Sequence, residues 1–183
     1  MTGLGARMLG AALLRSHVYE EVEADPSSLG QAAFVVALAC AAIGVASFVQ
    51  GAQAGVSPQR LLFQVAVAGL LPAIGWLGGS AFAYMVGATF LRGPHTATDY
   101  REVLRTTGFA LSPGCLRALA CVPPAGLGLA IDLGATLWML VAGVVAVRQA
   151  LDFTTAAAIG TCVSAALLLW LLVWGLSVAP LPL

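Results

Sequence analysis

Charged side chains are scarce in this chain, and lysine is absent altogether. Asp, Glu, Lys and Arg make up 9% of the 183 residues, against roughly 25% in ordinary soluble domains. All eight basic residues are arginine, and the formal net charge is zero. Without a basic tract there is nothing to hold nucleic acid, so nucleic acid is excluded as a partner.

Motifs for catalysis and metal binding are also missing. The sequence has no G-x-S-x-G and no Gly-rich phosphate loop. His17 with Glu21 and His95 with Asp99 have helical i,i+4 spacing, and we interpret both pairs as ordinary polar residues at a membrane surface. We expect no metal, no cofactor and no catalytic residue, hence not an enzyme. The cysteines read as apolar filler within hydrophobic segments: Cys40, Cys115, Cys121 and Cys162.

Long apolar runs make up most of what remains. Hydrophobic residues reach 60%, and the mean hydropathy is +0.96. Because a membrane-spanning helix needs about 20 apolar residues, the runs predict an all-α, polytopic membrane protein with five transmembrane helices. Residues 1–28 then form a cytoplasmic N-terminal segment, and residues 29–183 form one five-helix domain. The predicted spans are residues 29–49, 61–91, 107–122, 127–147 and 153–178.

Two amphipathic segments are predicted to lie at the membrane surface. Residues 92–107 combine Arg101, Glu102 and Arg105 with an apolar stripe, which predicts an interfacial helix leading into the third span. Residues 4–22 predict another interfacial helix at the N-terminus. Its lipid-facing side chains would be Leu4, Met8, Ala11, Ala12 and Val22.

The placement of arginine predicts the orientation. With five spans, Arg60 falls on one side, and the other arginines outside the spans fall on the side of the N-terminus. The positive-inside rule then puts the N-terminus in the cytoplasm and the C-terminus outside. The lack of lysine and the Ala/Gly/Arg-rich usage favour a bacterial inner membrane.

Two opposite charges lie inside the predicted spans. Arg117 and Asp132 flank a turn at Pro123 and Pro124, and an antiparallel hairpin would bring them to the same depth. We predict an intramembrane ion pair. An ionisable residue in hydrocarbon costs at least ~2.5 kcal/mol and suggests function, but a purely structural clamp is the competing interpretation.

Small residues recur every four positions in the second predicted span. Such a ridge lets another helix approach closely, either within the chain or across a dimer interface. The ridge consists of Gly75, Gly79, Ala83 and Gly87.

Charged and tyrosine residues predict a cytoplasmic partner face. The acidic run at residues 19–26 reads either as a solvated helix end or as a docking patch, which the charges after residue 99 would complete. The predicted face comprises Tyr19, Glu20, Glu21, Tyr100, Arg101, Glu102 and Arg105.

The segment "GFALSP", residues 108–113, resembles the G-Y-x-L-x-P signature of the Yip family of Ypt/Rab-GTPase-interacting membrane proteins, with Phe109 at the tyrosine position. The lead-in "YREVLR" and the run from Trp138 to Arg148 are similar to bacterial members. The eukaryotic D-L-Y-G-P element is replaced here by "VYEEVEADP", residues 18–26. The resemblance therefore implies the bacterial branch, with a GTPase partner only by distant analogy. The motif residues that would form an elbow into the membrane are Gly108, Phe109, Leu111 and Pro113.

Together these features predict a membrane-organising or protein-sorting adaptor or scaffold. It would lie in the lipid bilayer and act through its cytoplasmic face on protein partners or as a homo-oligomer. The alternative is a small transporter or channel that uses Arg117 and Asp132.

Overall fold

The computed structural model describes residues 3–89, 99–121 and 125–178, and all structural statements below concern these residues. They form seven α-helices and one 3-10 helix without a strand, which confirms the all-α prediction for this part of the chain. The elements are α1 (Leu4–Ala12), α2 (Ser16–Ala24), α3 (Ser28–Gln53), α4 (Pro58–Thr89), α5 (Tyr100–Ala110), the 3-10 segment (Ser112–Cys121), α6 (Ala125–Ala150) and α7 (Thr155–Val178).

Three helices are long and apolar enough to cross a membrane: α3, α4 over Pro58–Gly87 and α6 over Gly126–Ala150. They correspond to the first, second and fourth predicted spans. In α7, the apolar stretch Thr155–Leu168 is shorter. Length and composition thus support three of the five predicted spans directly.

The third predicted span is not a single α-helix. It starts earlier than predicted, since α5 begins at Tyr100, where the Glu102 carboxylate accepts the Asp99 backbone N–H at 2.8 Å. It changes helix type just before Pro113, which has no N–H to donate and whose ring obstructs a continuing α-helix. The predicted elbow at Gly108 is wrong, because Gly108 lies inside α5.

The interfacial helix predicted over residues 92–107 is described from residue 99 onward, and this part packs into the bundle. Val103 and Thr106 are fully buried, as is Phe109 in the predicted third span, and α5 packs among α2, α3, α4 and α6. The helix is therefore an integral part of the bundle. Arg92, His95, Pro123 and Pro124 lie outside the described residues.

The N-terminal segment folds back onto the bundle. The single helix predicted over residues 4–22 is broken between α1 and α2, where Leu14 has a φ of 58°. Ala11 and Val22, predicted to face lipid, are fully buried. They join a core cluster with Tyr19 and with residues of α3, α5 and α6, whereas the exposed apolar side chains are Leu9 and Leu13.

Close contacts between small residues bring α5 and the 3-10 segment against α3. A Cβ added at Gly108 would lie 2.8 Å from the Ala32 Cβ. One added at Gly114 would lie 3.2 Å from the Ala39 Cβ. Ala32 and Ala39 are two turns apart on α3. The two glycines therefore let α5 and the 3-10 segment pack closely along the length of this helix.

The bundle has two distinct ends. At the charged end, α2 packs against α5 and α6. The Ser28 hydroxyl at the start of α3 donates to the Val22 carbonyl of α2, and Glu20 accepts a hydrogen bond from Gln149. At the opposite end, the Gln50 side chain of α3 donates to the Ala120 carbonyl of the 3-10 segment.

Replacing Gly108 with alanine tests the close contact with α3. Because the added methyl group clashes with Ala32, we expect Gly108→Ala to lower stability by about 1–3 kcal/mol. The matched control is Gly134→Ala, where a Cβ would meet nothing within 4 Å. Denaturation of the purified proteins in detergent measures both, and equal stability of Gly108→Ala and Gly134→Ala would contradict the packing role.

Candidate functional site

A buried arginine ties the N-terminal segment to the bundle. Arg7 is 3% exposed, and its Nη2 donates to Glu21 Oε1 at 3.0 Å and to Asp25 Oδ2 at 2.8 Å. Its Nη1 donates to Gln31 Oε1 at 3.1 Å. One guanidinium thus connects α1, α2, the following turn and α3. The Ser27 hydroxyl and Arg7 together hold the pKa of Asp25 below its usual value.

Arg7 is one of the arginines on the side of the N-terminus that predict the orientation, and its burial was not predicted. The available signal was an arginine in the apolar helix α1, which has no acid of its own, followed by the acids of α2. That pattern favours pairing between the two helices.

A second arginine is buried where α5 meets α2. Arg105 is 6% exposed, and its Nη2 donates to the backbone carbonyl of Glu23. The same nitrogen lies 3.9 Å from Glu102 Oε1. Arg105 Nε has no hydrogen-bond partner within the described residues. Arg105 therefore acts as an internal contact between elements.

The Glu23 side chain lies in an acidic environment at this junction. Burial raises its pKa to about 7, and the nearby carboxylates of Glu102, Asp152 and Glu20 add to the rise, whereas Arg105 opposes it. Glu23 thus gains a proton near neutral pH.

Two residues of the predicted partner face are not accessible. Tyr19 is fully buried and donates its hydroxyl to the Ala11 carbonyl at 3.0 Å. Arg105 is also buried, so these two side chains hold the fold together instead of facing a partner. Glu21 is bound to Arg7 but stays 33% exposed. The residues of the predicted face that keep contact with the surroundings are Glu20, Glu21, Tyr100, Arg101 and Glu102.

The two charges predicted to lie in the membrane meet near the opposite end of the bundle. Arg117 Nε donates to Asp132 Oδ1 at 2.6 Å, and the side chains are 21% and 28% exposed. The hairpin geometry expected from the sequence thus brings them together, with Arg117 on the 3-10 segment and Asp132 on α6.

A half-open cavity of about 520 Å³ lies between α4, α6 and α7 and against the end of α5 and the 3-10 segment. Its lining is mostly apolar, from Leu71 and Trp76 on α4 to Met139 on α6, and Arg117 forms part of its wall. Its volume falls within the range of about 300–1,000 Å³ typical of small-molecule sites. The cavity could not be predicted from the sequence, because its lining residues come from distant segments.

The ridge of small residues on α4 has two different surroundings. A Cβ at Gly87 would lie 2.9 Å from a Leu151 methyl group, which is close helix packing. Ala83 joins a core cluster with α5, α6 and α7. Gly75 and Gly79 line the cavity, and a Cβ at Gly79 would meet nothing within 4 Å. The first half of the ridge, Gly75 and Gly79, therefore borders the cavity instead of packing against another helix.

The motif residues lie between the core and the cavity. Phe109 and Pro113 are buried, and Leu111 lines the cavity. His17 is exposed. The part of the chain that the structure describes holds no group of three or more His, Cys, Asp or Glu side chains placed to bind a metal.

Comparison with known protein families matches the chain to the Yip1 domain over residues 12–176. The chain belongs to the Yip1-domain family. The match confirms the resemblance carried by residues 108–113, and with the apolar helices it identifies an integral membrane protein. No curated protein matches the chain. No solved structure matches it either.

Removing the Arg7 guanidinium tests whether it holds the N-terminal segment on the bundle. We expect Arg7→Gln to lower the melting temperature in detergent clearly, because Glu21 and Asp25 lose their cation while partly shielded from water. Arg15→Gln, at an exposed position, is the control and should leave the melting temperature nearly unchanged. Equal melting temperatures for the two variants would refute the assigned role.

The raised pKa of Glu23 predicts a pH-dependent stability. The folded carboxyl titrates at about 7 and the unfolded one near 4.5, so the folded protein holds the proton more tightly. Stability contributed by this proton is complete below pH 4.5, falls as the pH rises to 7 and is absent above.

We therefore expect Glu23→Gln to melt at a higher temperature than the native protein at pH 8 and at a similar temperature at pH 4.5. Glu20→Gln is the neighbouring control. A difference for Glu23→Gln that is the same at both pH values would contradict the shifted pKa.

Proposed function

We propose that this Yip1-domain protein is a non-enzymatic scaffold that organises the membrane or sorts membrane proteins through its charged end. The observation that carries the proposal is the internal network at that end. Arg7 and Arg105 fix α1 and α2 to the bundle, which makes a preorganised surface with Glu20 and Arg101 exposed on it.

The proposed scaffold crosses the membrane five times. The additional spans are α7 and the combination of α5 with the 3-10 segment. The latter has 11 α-helical residues at ~1.5 Å each and 10 in 3-10 conformation at ~2.0 Å each, or roughly 36 Å. That length exceeds the ~30 Å hydrocarbon core.

The proposed orientation places the charged end in the cytoplasm. Arg7, Arg15, Arg101, Arg105 and Arg148 belong to elements that meet at this end, while Arg60 lies at the start of α4 at the other. The positive-inside rule supports this orientation, with a bacterial inner membrane as the proposed location. The partners we propose are membrane proteins or a second copy of the chain.

Reversing one exposed charge at the charged end tests the scaffold. We expect Arg101→Glu to reduce the partner protein or homo-oligomer captured by cross-linking in membranes, because Arg101 is exposed beside Glu102 and a reversed charge repels a complementary surface. Arg60→Glu makes the same change at the exposed start of α4 and is the matched control. Cross-linked products followed by mass spectrometry give the readout.

Two results would contradict the scaffold proposal. One is a protein that stays monomeric, without a cross-linked partner, in native membranes. The other is an identical pattern of products for Arg101→Glu, Arg60→Glu and the native protein.

A small transporter is the second candidate, because Arg117 lines an intramembrane cavity and pairs there with Asp132. Flux of a solute into proteoliposomes that Asp132→Asn abolishes would support this candidate. Vesicles that contain the protein but show no flux under an ion or pH gradient would favour the scaffold.

A further inference from the structure

The cavity continues to the lipid-facing surface of the bundle. A second cavity of about 350 Å³ lies between α4 and α7 and shares Gly75, Gly79 and Ala165 with the first. Its other lining residues include Ile74 and Leu168, which are 56% and 50% exposed. Since these helix faces contact lipid, the second cavity is a lateral opening from the bilayer into the bundle.

The cavity is elongated along the helices. On α6 its lining extends from Thr136 to Val147, a separation of eleven residues or roughly 16 Å at ~1.5 Å per residue. Gly79 on α4 and Gly143 on α6 face it, and neither would meet an atom within 4 Å if it carried a Cβ. A long, narrow space lined by small residues has the shape of a hydrocarbon chain.

The hydroxyl groups in the lining are already satisfied by the protein. Ser80 and Thr107 share a hydrogen bond of 2.7 Å. Thr136 donates to the Asp132 carbonyl at 2.8 Å, and Thr161 donates to the Ala157 carbonyl at 2.9 Å. The wall therefore offers few free polar groups to a hydrated solute and suits an apolar occupant.

Arg117 provides a polar terminus at one end of this apolar space. Within the described residues its one hydrogen bond runs from Nε to Asp132. A guanidinium has five N–H donors, so the Nη groups keep donors for an oxygen anion. The forked geometry of arginine matches phosphate.

We propose that the two cavities form a binding site for one phospholipid of the bilayer. One acyl chain enters between α4 and α7 and lies along Gly79 and Gly143, and the phosphate accepts hydrogen bonds from the Nη groups of Arg117. Asp132 orients the guanidinium through Nε. A free fatty acid, a hydrated solute or a helix of a second copy are the competing occupants.

This inference goes beyond the scaffold proposal and does not depend on it. The lipid site lies in the membrane-embedded part of the bundle, whereas the scaffold test concerns Arg101 at the charged end. Loss of partner capture in Arg101→Glu and loss of lipid binding are therefore separate results.

A photoreactive lipid tests the site directly. The full-length protein is reconstituted in phosphatidylethanolamine and phosphatidylglycerol vesicles that contain a trace of phospholipid with a diazirine near the end of one acyl chain. After illumination, digestion and mass spectrometry locate the labelled residues. We expect label concentrated on the cavity-lining parts of α4, α6 and α7, including Gly79, Met139, Gly143 and Ala165.

Filling the cavity should remove that label. We expect Gly79→Leu and Gly143→Leu each to reduce cavity labelling roughly tenfold, the effect of excluding about two methylene groups from apolar contact. The controls are Gly134→Leu and Gly160→Leu, at exposed glycines outside both cavities where a Cβ meets nothing within 4 Å. They should label like the native protein, and melting curves verify that all variants fold.

The head-group contact is tested separately with Arg117→Gln. We expect less phospholipid to remain bound after detergent washing, measured by native mass spectrometry. The melting temperature should fall because Asp132 loses its cation, so the comparison is made where the variant still shows a cooperative melting transition. A diazirine fatty acid, offered in place of the phospholipid, should label the cavity weakly and should not displace the phospholipid.

Three results would overturn the proposal. One is phospholipid label spread evenly over the exposed surface of the native protein. Another is cavity labelling that persists in both filled variants. The third is stronger cavity labelling by the fatty acid than by the phospholipid.

Discussion

The arrangement of the bundle depends on how closely α3 approaches the broken segment formed by α5 and the 3-10 segment. Gly108 lies against Ala32, and Gly114 lies against Ala39. Non-α backbone within a membrane protein is tolerated where protein surrounds it, and here α3 and α6 cover it. Larger side chains at the two glycines would separate the segment from α3 and displace Arg117 from Asp132.

The few charged residues are concentrated at the charged end, where several of them hold helices together. Arg7 and Arg105 serve mainly as internal contacts that hold α1 and α2 on the bundle. Carboxylate and amide oxygens replace much of the hydration of Arg7. Arg105 instead donates to one backbone carbonyl, and within the described residues its Nε has no hydrogen-bond partner. The result is a small exposed set of charges on a fixed surface at one end, above an apolar interior that contains the cavity.

Features that depend on local sequence could be predicted, and those that depend on tertiary contacts could not. Apolar runs predicted α3, α4 and α6, and the symmetric placement of Arg117 and Asp132 about a turn predicted that they meet. The burial of Tyr19 and Arg105 could not be predicted, because an amphipathic face suits either lipid or a neighbouring helix. The cavity was hidden for a related reason. Small residues such as Gly79 are compatible with close packing and with open space alike.

We propose that the chain crosses the membrane five times, with its charged end on one side. Accessibility of single cysteines at residues 15, 60, 101, 126 and 152, in a background without the native cysteines, measures this most directly. We predict that residues 15, 101 and 152 react with a membrane-impermeant reagent from one side, and residues 60 and 126 from the other. Labelling of residues 101 and 126 from the same side would show that the broken segment does not cross and would contradict the account.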